Sequence, residues 1–298
     1  MTSRTAVVWA GSAAVGFGLA SFFGKLATHA IDATQVGLIR YAVGLLFVIA
    51  VLLAGRMRRP VAWRLLLLRG LLGGLAGLLY YLSLNHLPVG TTAFLNCTSP
   101  VFAAGFAAVF LREVLTGQRL IAFGMSCVGV GAVVFGQGAR LGGPLEWQAV
   151  ALLSGVVAGG AVVTVRAARR TDGIWEIFAF FAVFGVTFTG PFALSHWRWP
   201  DDQATRAAFA WAVGGGVISL YAQLALTLSL GKVEAPVGAG ISELNFVTAL
   251  SFGALFMGEK FSRVSLLGAA LTFIGVVWLA WATARAPKSS PLRELETS

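Results

Sequence analysis

The sequence predicts an all-α polytopic membrane protein with ten transmembrane helices, arranged as two inverted five-helix repeats. Three observations predict it: an apolar composition, charge-free stretches long enough to cross a bilayer, and a repeat between the two halves. Of 298 residues, 57% are hydrophobic and only 11% are charged, and the mean hydropathy is +0.82. A soluble fold of this size would lack the polar residues to cover its surface.

Charge-free stretches supply most of the predicted spans, because roughly 20 apolar residues cross the hydrocarbon core. These stretches are 5–24, 70–111, 120–139, 147–165, 177–197, 207–231 and 264–284. The stretch 70–111 is too long for one helix and contains Asn85-His86-Leu87-Pro88, which predicts two helices joined by a turn. Residues 33–55 and 235–258 would qualify but for one charge each, Arg40 and Glu243. The ten spans are numbered 1–10 in chain order.

The distribution of basic residues predicts the orientation in the membrane. If the N-terminus is cytoplasmic, 14 Lys and Arg residues fall on the cytoplasmic side and 6 on the outer side. By the positive-inside rule, both termini are then cytoplasmic, including a polar tail at 285–298. The 9 tryptophans lie near predicted helix ends, as expected of aromatic belts.

The last three predicted helices of each half match each other at an offset of 146 residues without a gap. Phe110-Leu111-Arg112-Glu113 lies over Phe256-Met257-Gly258-Glu259, and Val128-Gly129-Val130 over Ile274-Gly275-Val276. The predicted repeats are 1–139 and 144–284. Because each half has an odd number of spans, the second enters the membrane in the opposite orientation, with Glu113 cytoplasmic and Glu259 outside. Inverted repeats of this kind are typical of secondary transporters.

A family resemblance lies in motifs spread over nearly the whole chain. The run Leu95-Asn96-Cys97-Thr98-Ser99-Pro100-Val101-Phe102, Leu111-Arg112-Glu113, the glycines from 124 to 131, Gly24-Lys25-Leu26 and Arg40-Tyr41 resemble the pattern of EamA-type permeases in the drug/metabolite transporter superfamily. The resemblance implies a central cavity lined mainly by spans 1, 3, 4, 6, 8 and 9. It also implies export of amino acids or other metabolites, with multidrug efflux as the alternative. The chain departs from the family at Asn245-Phe246, where a Glu-Pro pair is usual.

Polar residues inside the spans are candidates for substrate binding. Thr92, Asn96 and Ser99 are three or four residues apart in span 4 and share one helical face. Similar depths in spans 3, 8 and 9 hold the polar residues Tyr80, Tyr81, Gln223, Glu243 and Asn245. Together they predict an amphipathic pocket for an amino acid or a flat organic cation. Hydrogen bonding between helices explains each of them equally well.

Charges within the spans are functional candidates, because an unpaired charge in a bilayer is unfavourable. Glu243 near the middle of span 9 is the predicted proton-coupling group, or a contact for a cationic part of the substrate. The alternative is a structural ion pair with Arg40 or Lys25. Arg40 is expected to anchor helix contacts, while Lys25 and Arg69 near helix ends are expected to reach the headgroups.

Other functions find little support in the sequence. A membrane-embedded enzyme would need a His-Glu-x-x-His motif, paired Asp residues or a base beside Ser154, and the spans hold none of these. A channel would be expected to have rings of like charge. The scattered histidines and the helical Cys97 and Cys127 predict no metal or cofactor, and the basic charge follows membrane topology rather than a nucleic-acid surface. The sequence therefore predicts a small-molecule transporter of the bacterial inner membrane and leaves its oligomeric state open.

Overall fold

The computed structural model describes residues 3–87, 92, 95–96, 98–112, 116–136, 144–257 and 262–285. All regular structure in these ranges is helical, which confirms the all-α prediction for them. The helices are α1 (Ser3–Ala27), α2 (Ala33–Leu53), α3 (Trp63–Leu84), α4 (Ser99–Leu111), α5 (Gly117–Gly136), α6 (Leu145–Ala168), α7 (Ile174–Ser195), α8 (Gln203–Ser229), α9 (Ala235–Ser242), α10 (Leu244–Met257) and α11 (Arg263–Arg285). Glu113, Glu259 and the predicted tail beyond Arg285 lie outside the described residues.

Six of these helices are long and apolar enough to cross a membrane by themselves. They are α1, from Arg4, together with α2, α3, α6, α7 and α8. α4 and the central parts of α5 and α11 are shorter apolar helices. The chain is therefore a polytopic membrane protein, because six apolar helices of this length cannot all be covered by one another in water.

Span 9 is not the single helix that the sequence predicts. It divides into α9 and α10, and Glu243 is the residue between them. The Ser242 hydroxyl donates to the Ala239 carbonyl at 2.6 Å, which competes with the helical ladder at this point. Span 4 is divided at a similar place: the Thr98 hydroxyl donates to the Leu95 carbonyl at 2.6 Å, and α4 starts one residue later.

The helices pack in pairs that relate the first half of the chain to the second. α1 packs along α8, and α3 packs along α6; α2 lies against α7, and α5 against α11. α1 ends at Ala27, at the end of the bundle where Asn85 bonds Asp32, whereas α6 ends at Ala168, at the opposite end, where Asp172 bonds Val61. α1 and α6 therefore run in opposite directions.

Close backbone approach at the α5–α11 crossing explains two glycines. A Cβ at Gly275 would lie 2.7 Å from the Ala122 carbonyl, and a Cβ at Gly129 would lie 2.6 Å from the Gly268 carbonyl. Larger residues at either position would force the helices apart, and in lipid such close packing is what holds helices together.

The connections between helices lie at two opposite ends of this bundle. The α1–α2 end holds residues 28–32, 85–87 and 196–202, and the α2–α3 end holds 54–62, 169–173 and 230–234.

Candidate functional site

A cavity of about 440 Å³ lies between α1, α2, α3 and α8 and reaches the α1–α2 end. Its size is that of a site for a small organic molecule. The polar groups on its wall come from Ser21, Lys25, Thr28, Asp32, Arg40, Tyr80, Tyr81 and Asn85. Small residues of α1 and α8, such as Gly24, Gly215 and Gly216, form much of the remaining wall and leave the space open.

Arg40 and Tyr81 form a polar contact on the cavity wall. Arg40 Nη1 donates to the Tyr81 hydroxyl at 3.2 Å. Tyr81 is buried, and its ring packs edge-on against Tyr80 with the centroids 5.7 Å apart. On another side, the Arg40 guanidinium lies 5.9 Å from the centroid of the Tyr41 ring. The guanidinium thus lies beside aromatic rings on the wall of the cavity.

Asp32 and Asn85 lie where the cavity meets the α1–α2 end. Asp32 caps α2 by accepting from the Thr34 N–H at 2.7 Å, and the Asn85 amide donates to the same carboxylate at 3.4 Å. Beside them, Gln35 is fully buried and forms two bonds to the backbone of Arg198: its Nε2 donates to the carbonyl at 2.8 Å, and its Oε1 accepts from the N–H at 3.1 Å. This end therefore combines an open cavity with an uncharged contact between α2 and the α7–α8 loop.

The α2–α3 end is closed by two buried carboxylates. Glu176 Oε1 accepts from the Arg58 N–H at 2.6 Å. The Asp172 carboxylate accepts from the N–H groups of Val61 and Ala62 at 2.8 and 3.0 Å. Burial raises the pKa of Asp172, but hydrogen bonds from the Thr171 hydroxyl and these two N–H groups outweigh it, so the pKa lies below its ordinary value.

Comparison with known proteins identifies the family. The EamA-like transporter family matches the chain twice, over residues 4–135 and 145–281. The chain belongs to the EamA-like transporter family. It is similar to the pseudopaline exporter CntI of Pseudomonas aeruginosa strain UCBPP-PA14, with 25% identity over 93% of this chain and 96% of the exporter, and equally to the same exporter of strain PAO1. A solved crystal structure covers 91% of this chain and 98% of its own, with a TM-score of 0.73 and 17% identity, which shows a shared fold alone.

Membership in the EamA-like family makes the chain a membrane transporter rather than an enzyme. The EamA-type resemblance that the sequence predicts is thereby confirmed. No group of three His, Cys, Asp or Glu side chains that could hold a metal ion occurs in the described part of the chain.

The structure brings only some of the predicted site residues to the cavity. Tyr80 and Tyr81 line it, together with Arg40 and Lys25. Asn96 instead donates to the Ser154 hydroxyl of α6 at 2.8 Å. Ser99 is buried where α4 packs against α6, close to Gly159. Thr92 is fully buried, and its hydroxyl has no hydrogen-bond partner within the ranges described.

The predicted residues of spans 8 and 9 lie apart from this cavity. Glu243 is buried at the C-terminus of α9, near Cys127 of α5. The backbone carbonyl of Asn245 accepts from the Thr248 hydroxyl at 2.8 Å and lies against Gly18 of α1. The backbone carbonyl of Gln223 accepts from the Thr227 hydroxyl at 2.7 Å. None of Gln223, Glu243 and Asn245 is among the residues that line the cavity.

The expectation that Arg69 reaches the headgroups is wrong. Its side chain is only 4% exposed, and its guanidinium lies 4.3 Å from the centroid of the Phe181 ring. α3 begins at Trp63, seven residues before the charge-free stretch at 70–111, so Arg69 lies almost two turns inside the helix.

Sequence reasoning missed Asp32 and Asn85 at the mouth of the cavity, and Asp172 and Glu176 at the opposite end. All four lie at helix ends, where a polar residue is ordinarily a cap or a solvated side chain. The only signal in the sequence is Asp-x-Thr at 32–34, which is typical of a helix N-terminus and says nothing of a cavity.

Proposed function

We propose that the chain is a secondary active transporter that exports an amino acid or a related metabolite across the bacterial inner membrane by alternating access. The carrying observation is the cavity of about 440 Å³ between α1, α2, α3 and α8, which has charged and aromatic polar groups at membrane depth. The similarity to a pseudopaline exporter supports export of a small polar molecule. Efflux of organic cations is the alternative, and the cationic Arg40 and Lys25 on the cavity wall disfavour it.

Alternating access requires two halves that can move against each other, and we assign them to 1–139 and 144–284 with ten spans in total. Several contacts support inverted repeats. The helix pairs stay the same when the halves are exchanged, since α1–α8 corresponds to α6–α3. At the α5–α11 crossing, Ser126 lies against Gly275 and its counterpart Thr272 lies against Gly129, each pair exchanging under the offset of 146. Rocking about such an axis would close one end as the other opens.

The orientation follows from charge. With both termini cytoplasmic, the α2–α3 end faces the cytoplasm, and the open cavity faces outward. The described conformation is then the one that releases exported substrate. The carboxylate contacts of Asp172 and Glu176 hold the cytoplasmic side closed in this state.

Glu243 is our candidate for proton coupling. It is 9% exposed and lies at the break between α9 and α10. Discontinuous helices at the membrane midplane are where transporters bind substrates and coupling ions. A carboxylate there can bind a proton in one conformation and release it in the other.

The proposal is tested with the full-length protein in proteoliposomes, using labelled L-amino acids and pseudopaline with and without a pH gradient. We expect gradient-driven accumulation of at least one compound. Glu243→Gln should abolish that accumulation and retain exchange of the same compound, because the amide keeps the shape but cannot ionise. The matched control is Glu146→Gln, at an exposed position in the first turn of α6, which should transport normally. Transport of organic cations alone would replace the proposal with the efflux alternative, and unaltered gradient-driven transport by Glu243→Gln would remove Glu243 from it.

A further inference from the structure

Arg40 is a cation inside a membrane helix that is not explained by an ion pair. The groups that act most on its charge among the described residues are Tyr81, Tyr41 and Tyr80, and none of these three is a carboxylate. Its printed hydrogen bond goes to the neutral Tyr81 hydroxyl. A guanidinium has five N–H donors and a charge that is unfavourable in lipid, so the side chain is suited to bind an anion that enters the cavity.

A second buried cation, Arg69, lies on α3 outside the cavity lining. Arg69 is 4% exposed and stacks on Phe181, and its Nε has no partner in the described part of the structure. The charges of Arg40 and Arg69 act on each other, with Tyr41 interacting with both. Two like charges in a low-dielectric region lower the free energy of a nearby anion more than either one alone.

The cavity's charges are also arranged along its length. Asp32 lies at the start of α2, and Arg40 follows eight residues later, which is about 12 Å of helical rise. The carboxylate of Asp32 and the amide of Asn85 are therefore near the mouth, and Arg40 with Tyr81 lies deeper. Lys25, in the last turn of α1, also lines the cavity near the mouth, so both signs of charge occur there. A zwitterionic ligand, with its anionic group at Arg40 and its amine at Asp32, would match this order.

We propose that Arg40 and Tyr81 form the subsite for a carboxylate of the transported molecule, with Asp32 and Asn85 facing its amine or other donor nearer the mouth. This inference rests on the proposed transport function and names the chemistry that the cavity selects. Arg binds carboxylates in a planar, bidentate manner, which fixes orientation as well as charge. The role of Arg40 is then to bind the cargo, beyond anchoring helix contacts.

Matched ligand pairs test this assignment. The probes are the L-amino acids and their carboxamides, which keep the side chain and amine but lack the carboxylate. Their affinities for the full-length protein in detergent are measured by thermal stabilisation. We expect the best-binding acid to bind about tenfold or more tightly than its amide, the effect of one charge-assisted pair. In Arg40→Gln this ratio should fall to about one. Arg64→Gln, at an exposed site at the α2–α3 end, should keep the wild-type ratio.

Tyr81→Phe keeps the ring and the packing, so it tests the subsite if Arg40→Gln does not fold. It removes the hydroxyl that orients the guanidinium and should lower the ratio about threefold. Equal binding of acids and amides by the wild type, or an unchanged ratio in a folded Arg40→Gln, would overturn the subsite and leave transport standing. An Arg40-dependent preference without transport of any acid in proteoliposomes would instead overturn the proposed export. Absence of binding by every acid would overturn both.

Discussion

The two ends of the bundle make the same kind of contact with different chemistry. At each end, a side chain in the first turn of one helix accepts a hydrogen bond from the backbone N–H of a loop residue. That loop residue lies five positions before the start of another helix. At the α1–α2 end, Gln35 of α2 bonds Arg198, before α8; at the α2–α3 end, Glu176 of α7 bonds Arg58, before α3. The first contact is a neutral amide pair, and the second uses a charged carboxylate.

The helices that follow these contacts are also capped differently. α8 has its own capping box, in which Asp202 and Thr205 bond each other's backbone N–H groups. α3 has Ala62 at its N-cap position and no capping side chain of its own. The N–H groups of Ala62 and of the preceding Val61 are bound by Asp172 from the α6–α7 loop. A local cap stays with its helix when the bundle moves, whereas a cap from another helix pair is lost on separation. The α2–α3 end is therefore held by contacts that opening must break.

The largest expected loss of stability comes from exchanging the chemistry of the two ends, with Gln35 changed to Glu and Glu176 changed to Gln in separate variants. Gln35→Glu removes the N–H that donates to the Arg198 carbonyl and places a carboxylate oxygen against it. The site is fully buried, so water cannot replace the lost donor. We expect a loss of stability of about 3 kcal/mol. Glu176→Gln keeps an oxygen that can accept from Arg58 and should lose only about 1 kcal/mol. Thermal unfolding in detergent measures both, and equal losses would mean that the two contacts are chemically equivalent.

Removal of the cap on α3 should have a smaller effect than the Gln35 exchange. Asp172→Ala leaves the Val61 and Ala62 N–H groups without their acceptor, and we expect a loss of about 2 kcal/mol. Hydrogen exchange should accelerate at these two amides and stay unchanged at the start of α8. Asp201→Ala, at an exposed position of the other end, serves as the control and should leave stability unaltered. Retained protection at Val61 and Ala62 would contradict the capping role of Asp172.

Acidification should give the smallest effect at the α2–α3 end. The pKa of Asp172 is lowered from its ordinary value of 3.8, so the folded protein favours the ionised carboxylate. This stabilisation is complete above pH 3.8 and is lost as the pH falls through the lowered pKa. Asp172→Asn has no such dependence, so the difference in unfolding temperature between the wild type and this variant should shrink below pH 3.8. A difference that persists at the lowest pH would show that the charge of Asp172 is not responsible.

Much of the candidate site could not be predicted from the sequence, for a physical reason. Tyr80 and Tyr81 were identifiable because polar aromatic residues in an apolar span are conspicuous, and they line the cavity. Asn96 was equally conspicuous in span 4, yet its amide bonds Ser154 of α6. A polar group in lipid needs a hydrogen-bonding partner, and either a ligand in a cavity or a neighbouring helix can supply it. Which of the two does so depends on how the helices pack.

The sequence by itself determined that the chain is helical, that it spans a membrane and that it belongs with the EamA-type permeases. Those properties depend on composition, on the length of apolar stretches and on local motifs, all of which are read along the chain. The tertiary structure decided which polar residues share a cavity, that Arg69 is buried against Phe181, and that Glu243 lies at a break between two helices. These depend on which face of each helix meets which neighbour, and in a bilayer apolar residues occur on every face, so the pattern along the chain does not specify that choice.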